Sequence, residues 1–160
     1  MARAMATSVL RAAGQLPTAV ACDDERVARW AAAQGALVLW KPGHDLNGAV
    51  TASVKDLAER GFSRVIVAHG DLPLARSFDE VAAFDGVTVV PDRRGSGTNV
   101  LCVPTNTSFV FGYGVDSCAH HVEQAEQAGL AVRVLSDPDL GLDIDTAEDL
   151  TELRNRVEAV

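Results

Sequence analysis

Short apolar runs alternate with longer amphipathic stretches along this chain, and nothing else in the sequence constrains its fold as strongly. Residues 18–22, 36–40, 64–68 and 87–90 each suit a strand buried on both faces. The stretches between them read as helices. Residues 2–13 are alanine-rich and end at Gly14, and Asp24 is placed to cap a helix through Ala33 that stops at Gly35. Asn47 is a candidate cap for a helix to Arg60, in which Val50, Val54 and Leu57 recur at helical spacing before Gly61. Ser77 with Glu80 forms a capping box for a short helix to Phe84, and Pro91 closes the strand that follows. This rhythm of helix and buried strand predicts a parallel sheet covered by helices.

The second half continues with a strand at 100–103 and a helix opened by Ser117 and stopped by Gly129. Two late strands are expected at 131–135 and 141–144, then a final helix capped by Asp145 with Glu148 and ending near Arg154 and Arg156. The expectation is one domain over residues 1–160: a three-layer, doubly wound, mostly parallel α/β fold. In such folds ligands gather outside the carboxyl ends of the strands.

Composition narrows the function. Hydrophobic residues make up 48% and charged residues 22%, as in an ordinary globular domain, and no apolar run approaches the roughly 18 residues of a bilayer span. With 14 basic against 22 acidic residues the net charge is −8, so nucleic acid is not an expected partner, and a polyanionic small substrate needs local arginines or a metal. Cys22, Cys102 and Cys118 are odd in number, far apart and without a CxxC pair. They fit a reducing compartment, the cytoplasm, and neither a disulfide framework nor a zinc site.

Three stretches carry candidate chemistry. VIVAHGDLPL runs a buried strand into Asp71 and then Pro73, which puts a carboxylate at a strand's carboxyl end, a reasonable Mg²⁺ ligand or a turn residue. In GLDIDTAEDL, Asp143 and Asp145 alternate with buried Leu142 and Ile144 and so are expected to face one side of a strand end. If they converge with Asp71, their mutual repulsion calls for a cation, with Asp143 the better candidate because capping already explains Asp145. In PDRRGSGTNVL, Gly95 and Gly97 let backbone N–H groups approach an anion, Thr98 and Asn99 add polar groups, and Arg93 and Arg94 add charge. FGYGVDSCAHH sets Gly112, Gly114 and Ser117 before a helix start, a second anion-binding arrangement, with His120 and His121 read as solvated or core residues. No GxSxG elbow supports covalent hydrolysis.

Together with DDERVARWAAAQGA and the pair Leu46–Asn47, the stretches HGDLPL, VVPDRRGSGTNVL, YGVDSCAHH and LDIDTAEDL resemble the 2-phospho-L-lactate or phosphoenolpyruvate guanylyltransferases of coenzyme F-420 biosynthesis. The resemblance spans nearly the whole chain. It implies a nucleotide-diphospho-sugar-transferase-like, Rossmann-like fold, Mg²⁺ as cofactor, GTP as co-substrate and a phosphorylated three-carbon acid as acceptor. By resemblance Asp71 matches the family's metal aspartate, with Asp143 or Asp145 as the second carboxylate. Thr98, Gly114 and Ser117 match positions that hold the acid's phosphate and carboxylate, and Gly97 and Asn99 join them as substrate-binding candidates. Asp71, Asp143 and Arg93 are the expected catalytic set, and Asn47 is a cofactor-binding candidate.

This chain departs from the family's pattern where it begins. Relatives open with a strand and a basic nucleotide loop before the helix at residues 2–13, so this chain is expected to be incomplete at its amino end. A gap between the strands at 18–22 and 64–68 would then be closed by their direct pairing, filled by a partner's segment, or left to weaken the fold. Guanylyl transfer by residues 1–160 alone is accordingly expected to be weak. Gly70 and Cys118 are smaller departures. Competing readings are a homologue that binds a phosphoacid without transferring anything, and a nucleotidyltransferase for another small phosphate. A homodimer is among the expected partners.

Overall fold

A computed structural model describes residues 1–158. The order of elements is α1 (Ala2–Ala12), β1 (Ala19–Cys22), α2 (Glu25–Ala33), β2 (Leu37–Trp40), α3 (Leu46–Glu59), β3 (Arg64–Ala68), α4 (Asp79–Ala82), β4 (Val87–Pro91), β5 (Thr98–Pro104), α5 (Ser117–Gln127), β6 (Val132–Val134) and α6 (Ala147–Glu158). Asp24 caps α2 as its sequence predicts, accepting from the N–H groups of Arg26 at 2.7 Å and Val27 at 3.3 Å. α4 is shorter than expected. The Arg64 guanidinium donates to the carbonyls of Ala82 and Phe84, at 3.2 and 2.6 Å, and takes up the acceptors that a further helical turn would have used.

The strands form two sheets, β1-β2 and β3-β5-β4-β6. β1 and β2 are parallel, as are β4 and β6, but β5 runs antiparallel to both β3 and β4. The fold is α/β as expected, and β5 is the strand of the larger sheet that runs against its neighbours. Residues 92–97 form a hairpin connection in which the Asp92 N–H donates to the Gly97 carbonyl at 3.1 Å. β1 and β3 are not hydrogen-bonded to one another among the described residues, so direct pairing, one of the three expected ways to close that gap, does not occur. α3 packs against both strands and so bridges the two sheets.

Alternation along β4 and β5 divides the core. Val87, Val89, Leu101 and Val103 join Val50 and Val54 of α3 and Ala125 of α5 on one face. Val90, Val100 and Cys102 join Ala12 of α1 and Val81 of α4 on the other, with Leu72 and Leu140. Each fully buried Val or Leu of this kind contributes about 1.5–3 kcal/mol. Residues 141–144 form no strand. Asp137 closes a turn just before them, its carboxylate accepting from Asp139 and Leu140 N–H at 2.8 and 2.9 Å and its carbonyl from Gly141 N–H at 2.8 Å, so the first donor of the expected strand is spent in the turn.

Candidate functional site

The loops after β3 and β4 and the start of α5 gather at one end of the larger sheet. His69, just beyond β3, donates its backbone N–H to the Asn99 carbonyl at 3.1 Å, and the Asn99 side chain donates to Asp143 Oδ1 at 3.4 Å. Asn99 is itself buried, so it ties the segment after β3 to the 137–145 loop. Asp71 follows two residues later, and its Oδ1 is buried with no hydrogen-bond partner. It borders a cavity of about 500 Å³ lined also by Arg3 and Ala6 of α1 and by Arg26 and Trp30 of α2, a volume suited to a small ligand.

A buried carboxylate oxygen without a donor suits a hard cation, since Mg²⁺ takes one or two protein carboxylates and completes its shell with water or phosphate. Among the described residues no group of three or more His, Cys, Asp or Glu is arranged around a common metal position. Asp143 and Asp145 do not share a strand face, because the segment is not a strand. Burial pushes the Asp143 carboxyl up, and the charges of Asp145 and Asp92 add to this against hydrogen bonds from its own backbone and Asn99. A cation would relieve that accumulation of negative charge.

The glycine-rich hairpin loop is more self-contained than its composition suggests. Asp92 accepts from Gly95 N–H through its carbonyl and from Ser96 N–H through Oδ1, both at 2.9 Å. A Cβ on Gly97 would lie 3.0 Å from Asp92 Oδ2, which explains the glycine by close packing. Arg93 donates to Asp149 Oδ1 at 2.8 Å through Nε, and the two form an ion pair at 2.7 Å, while Arg94 reaches the same oxygen at 3.4 Å. The charge that Arg93 and Arg94 were expected to bring to a ligand is here engaged by Asp149.

Asp149 was not singled out by its sequence, yet it organises this region at 1% exposure. Its Oδ2 accepts from the N–H of Asp145 at 3.2 Å and from the N–H and hydroxyl of Thr146, both at 2.8 Å. The cap of α6 is thus Thr146 with Asp149, one residue on from the expected Asp145 with Glu148. Asp145 is exposed.

α5 closes over the start of β5. Cys118 N–H donates to the Ser96 carbonyl at 3.0 Å, joining the helix to the hairpin loop. Asp116, not Ser117, occupies the cap position, with a left-handed φ of 55° and no side-chain cap, and Ser117 is the first helical residue, 1% exposed. Gly114 has φ 131°, a conformation strained for any other residue. Thr98 Oγ1 lies 3.0 Å from His121 Nδ1, and His121 Nε2 accepts from Gly112 N–H at 3.1 Å. Burial, with smaller contributions from His120 and His69, pushes the His121 imidazole down to about 4. Tyr113 lies against both His69 and His121, with ring centroids 5.3 and 4.8 Å away, and its buried hydroxyl has no partner. Thr98 therefore docks on α5 through His121, Gly114 joins the start of α5 through its carbonyl, which accepts from Ser117 N–H at 3.2 Å, and Asp143 and Asn99 meet beyond β3.

Asn47 does not cap α3; Asp45 does, accepting from Gly48 N–H at 2.7 Å. The Asn47 amide instead exchanges two hydrogen bonds with the Tyr113 backbone, accepting from N–H at 2.7 Å and donating to the carbonyl at 3.3 Å. It anchors the 112–116 loop to the first half of the chain. Asn47→Ala is expected to cost about 1–2 kcal/mol of stability in urea denaturation. Asn47→Asp should cost at least as much, because a carboxylate cannot donate to the Tyr113 carbonyl.

Residues 1–156 match the family described as "Guanylyl transferase CofC like". A phosphoenolpyruvate guanylyltransferase of Conexibacter woesei is 40% identical over 69% of this chain and 53% of its own length. A 2-phospho-L-lactate guanylyltransferase of Methanothermobacter thermautotrophicus is 35% identical over 81% of this chain and 60% of its own. A 3-phospho-D-glycerate guanylyltransferase of Phenylobacterium zucineum is 34% identical over 84% of this chain and 65% of its own. The chain thus spans about half to two thirds of the length of these relatives. Among solved structures, a chain from Desulfovibrio desulfuricans G20 assigned to the nucleotide-diphospho-sugar transferases superposes with a TM-score of 0.72 at 20% identity, covering 95% of this chain and 72% of that one. That likeness shows the fold.

Proposed function

Because the chain belongs to the guanylyl transferase CofC-like family, we propose that it joins the GMP unit of GTP to a phosphorylated three-carbon acid, phosphoenolpyruvate or 2-phospho-L-lactate, in coenzyme F-420 biosynthesis. The acid's phosphate oxygen attacks the α-phosphorus, one P–O bond forms, another breaks, and pyrophosphate leaves. The attacking phosphate is already an anion, so no general base is needed, and catalysis consists of in-line positioning and charge neutralisation.

The observation that carries this reading is the docking of two small-polar segments at one sheet end, where Thr98 of β5 and Ser117 of α5 are brought together by the Cys118–Ser96 and Thr98–His121 contacts. In this reading Thr98, Ser117 and the Gly114 backbone hold the acid's phosphate and carboxylate. Asp71, with Asp143 as a second carboxylate, would hold Mg²⁺, which when bound neutralises and aligns phosphate oxygens. Arg93 serves the loop, and of the two arginines on the wall of the Asp71 cavity, Arg26 is ion-paired with Asp24 at 3.2 Å, which leaves Arg3 as the cavity arginine we assign to the nucleotide's negative charge.

The test is GTP-dependent pyrophosphate release with phosphoenolpyruvate, 2-phospho-L-lactate and 3-phospho-D-glycerate supplied in turn. Release that requires one of the first two acids is expected. No release with any acid, while an acid still raises the melting temperature, would leave phosphoacid binding as the function.

A further inference from the structure

The hydrogen bonds around His121 leave its ring one arrangement. A backbone N–H can only donate, so the contact from Gly112 N–H at 3.1 Å requires His121 Nε2 to be the unprotonated acceptor. The ring is fully buried, and the titratable groups that bear on it among the described residues are His120, His69 and the Tyr113 phenol packed against it. It is therefore neutral and carries its one proton on Nδ1. That proton points at Thr98 Oγ1, 3.0 Å away. The hydroxyl accepts from the imidazole and has no other side-chain hydrogen bond among the described residues, so its own proton must be given elsewhere.

We propose that His121 is a positioning residue that fixes the Thr98 hydroxyl as an obligate donor to the phosphoacid. A free threonine hydroxyl can turn either way; this one, 2% exposed, has its oxygen engaged by the ring, so its proton is left for an acceptor, which matches an anion and mismatches a donor. The arrangement also extends to Gly112, so one imidazole sets both the hydroxyl of β5 and the start of the glycine loop. The inference rests on the proposed function for the identity of the anion, while the proton's position on the ring does not depend on it.

Two variants separate the two nitrogens. His121→Asn can place an amide N–H where Nδ1 stands and keep the donation to Thr98, whereas His121→Gln can place an oxygen where Nε2 stands, keep the Gly112 contact and lose the donation. Binding of phosphoenolpyruvate, 2-phospho-L-lactate and 3-phospho-D-glycerate is measured by calorimetry and thermal shift. Thr98→Val and His121→Gln are each expected to weaken binding of the preferred acid about tenfold, the worth of one hydrogen bond to a charged group. His121→Asn should keep most of the affinity, and His121→Gln in the Thr98→Val background should cost little more than Thr98→Val alone. Nitrogen-15 spectra of labelled histidine at pH 7 should show the proton of His121 on Nδ1. A proton on Nε2, or losses that add fully in the double variant, would overturn the inference. So would acids that bind the wild type and are unaffected by either single substitution, an outcome that leaves the proposed function standing. If no acid binds the wild type, the proposed function fails and takes the role of Thr98 with it, whatever the ring's protonation.

Discussion

Asp149→Ala is expected to destabilise the domain by about 3–5 kcal/mol, the range for removing one partner of a buried ion pair, read as a lower urea midpoint at unchanged slope. One carboxylate satisfies the Asp145 and Thr146 N–H groups at the start of α6 and also holds Arg93 and Arg94 of the hairpin loop. Its loss uncaps a helix and frees a loop together. Because that loop leads into Thr98 and contacts Cys118 of α5, affinity for the phosphoacid should fall with stability. A cost under about 1 kcal/mol would place the pair among solvent-compensated contacts and return Arg93 to the candidate ligand groups.

The same residue sets an acid limit. Burial pushes the Asp149 carboxyl up, but hydrogen bonds from Thr146 and Arg93, and from the Thr146 and Asp145 N–H groups, outweigh it and hold the carboxyl well below the usual carboxylate range. With the folded value below an unfolded one of about 3.9, the unfolded chain takes the proton first as pH falls. The stabilisation is complete above about pH 5 and is lost progressively below about pH 4. Asp149→Asn should flatten this acid limb while leaving the rest of the pH profile in place.

Asp71→Asn should leave the fold intact, because the buried oxygen it alters has no partner to lose, yet weaken Mg²⁺ binding by at least about tenfold in calorimetry. Pyrophosphate release should fall about a hundredfold or more, since metal neutralisation of a transferring phosphoryl group is worth several kcal/mol and each 1.4 kcal/mol is a factor of ten. Unchanged Mg²⁺ affinity would refute the assignment. Asp145→Asn should be much milder, because Asp145 is exposed and contributes its backbone N–H to the α6 cap. An equal loss at both positions would make Asp145 a ligand as well.

How far the sequence reached can be judged element by element. The apolar runs at β1, β2, β3 and β4, the glycine that follows each of α1, α2, α3 and α5, and the Asp24 cap depend on periodicity, φ and contacts a few residues away, which any short window of sequence contains. That Asp71 and Thr98 stand at one end of the larger sheet follows likewise from where β3 stops and β5 starts. The direction of β5 was legible in principle, because a connection as short as residues 92–97 cannot cross over to a parallel neighbour. Its glycines and arginines instead read as a ligand cradle.

What the sequence could not determine is which partner each polar side chain takes. Asn47 looked like a helix cap and bonds Tyr113, 66 positions away; Arg93 looked like a substrate arginine and bonds Asp149, 56 away. His120 and His121 are indistinguishable as neighbours in the chain, yet packing buries His121 between Thr98 and Gly112 and leaves His120 nearer the surface. Local signals favoured the nearest acceptable partner. Tertiary packing chose among partners by excluding water, because a polar group buried without a hydrogen bond costs more than any local preference returns.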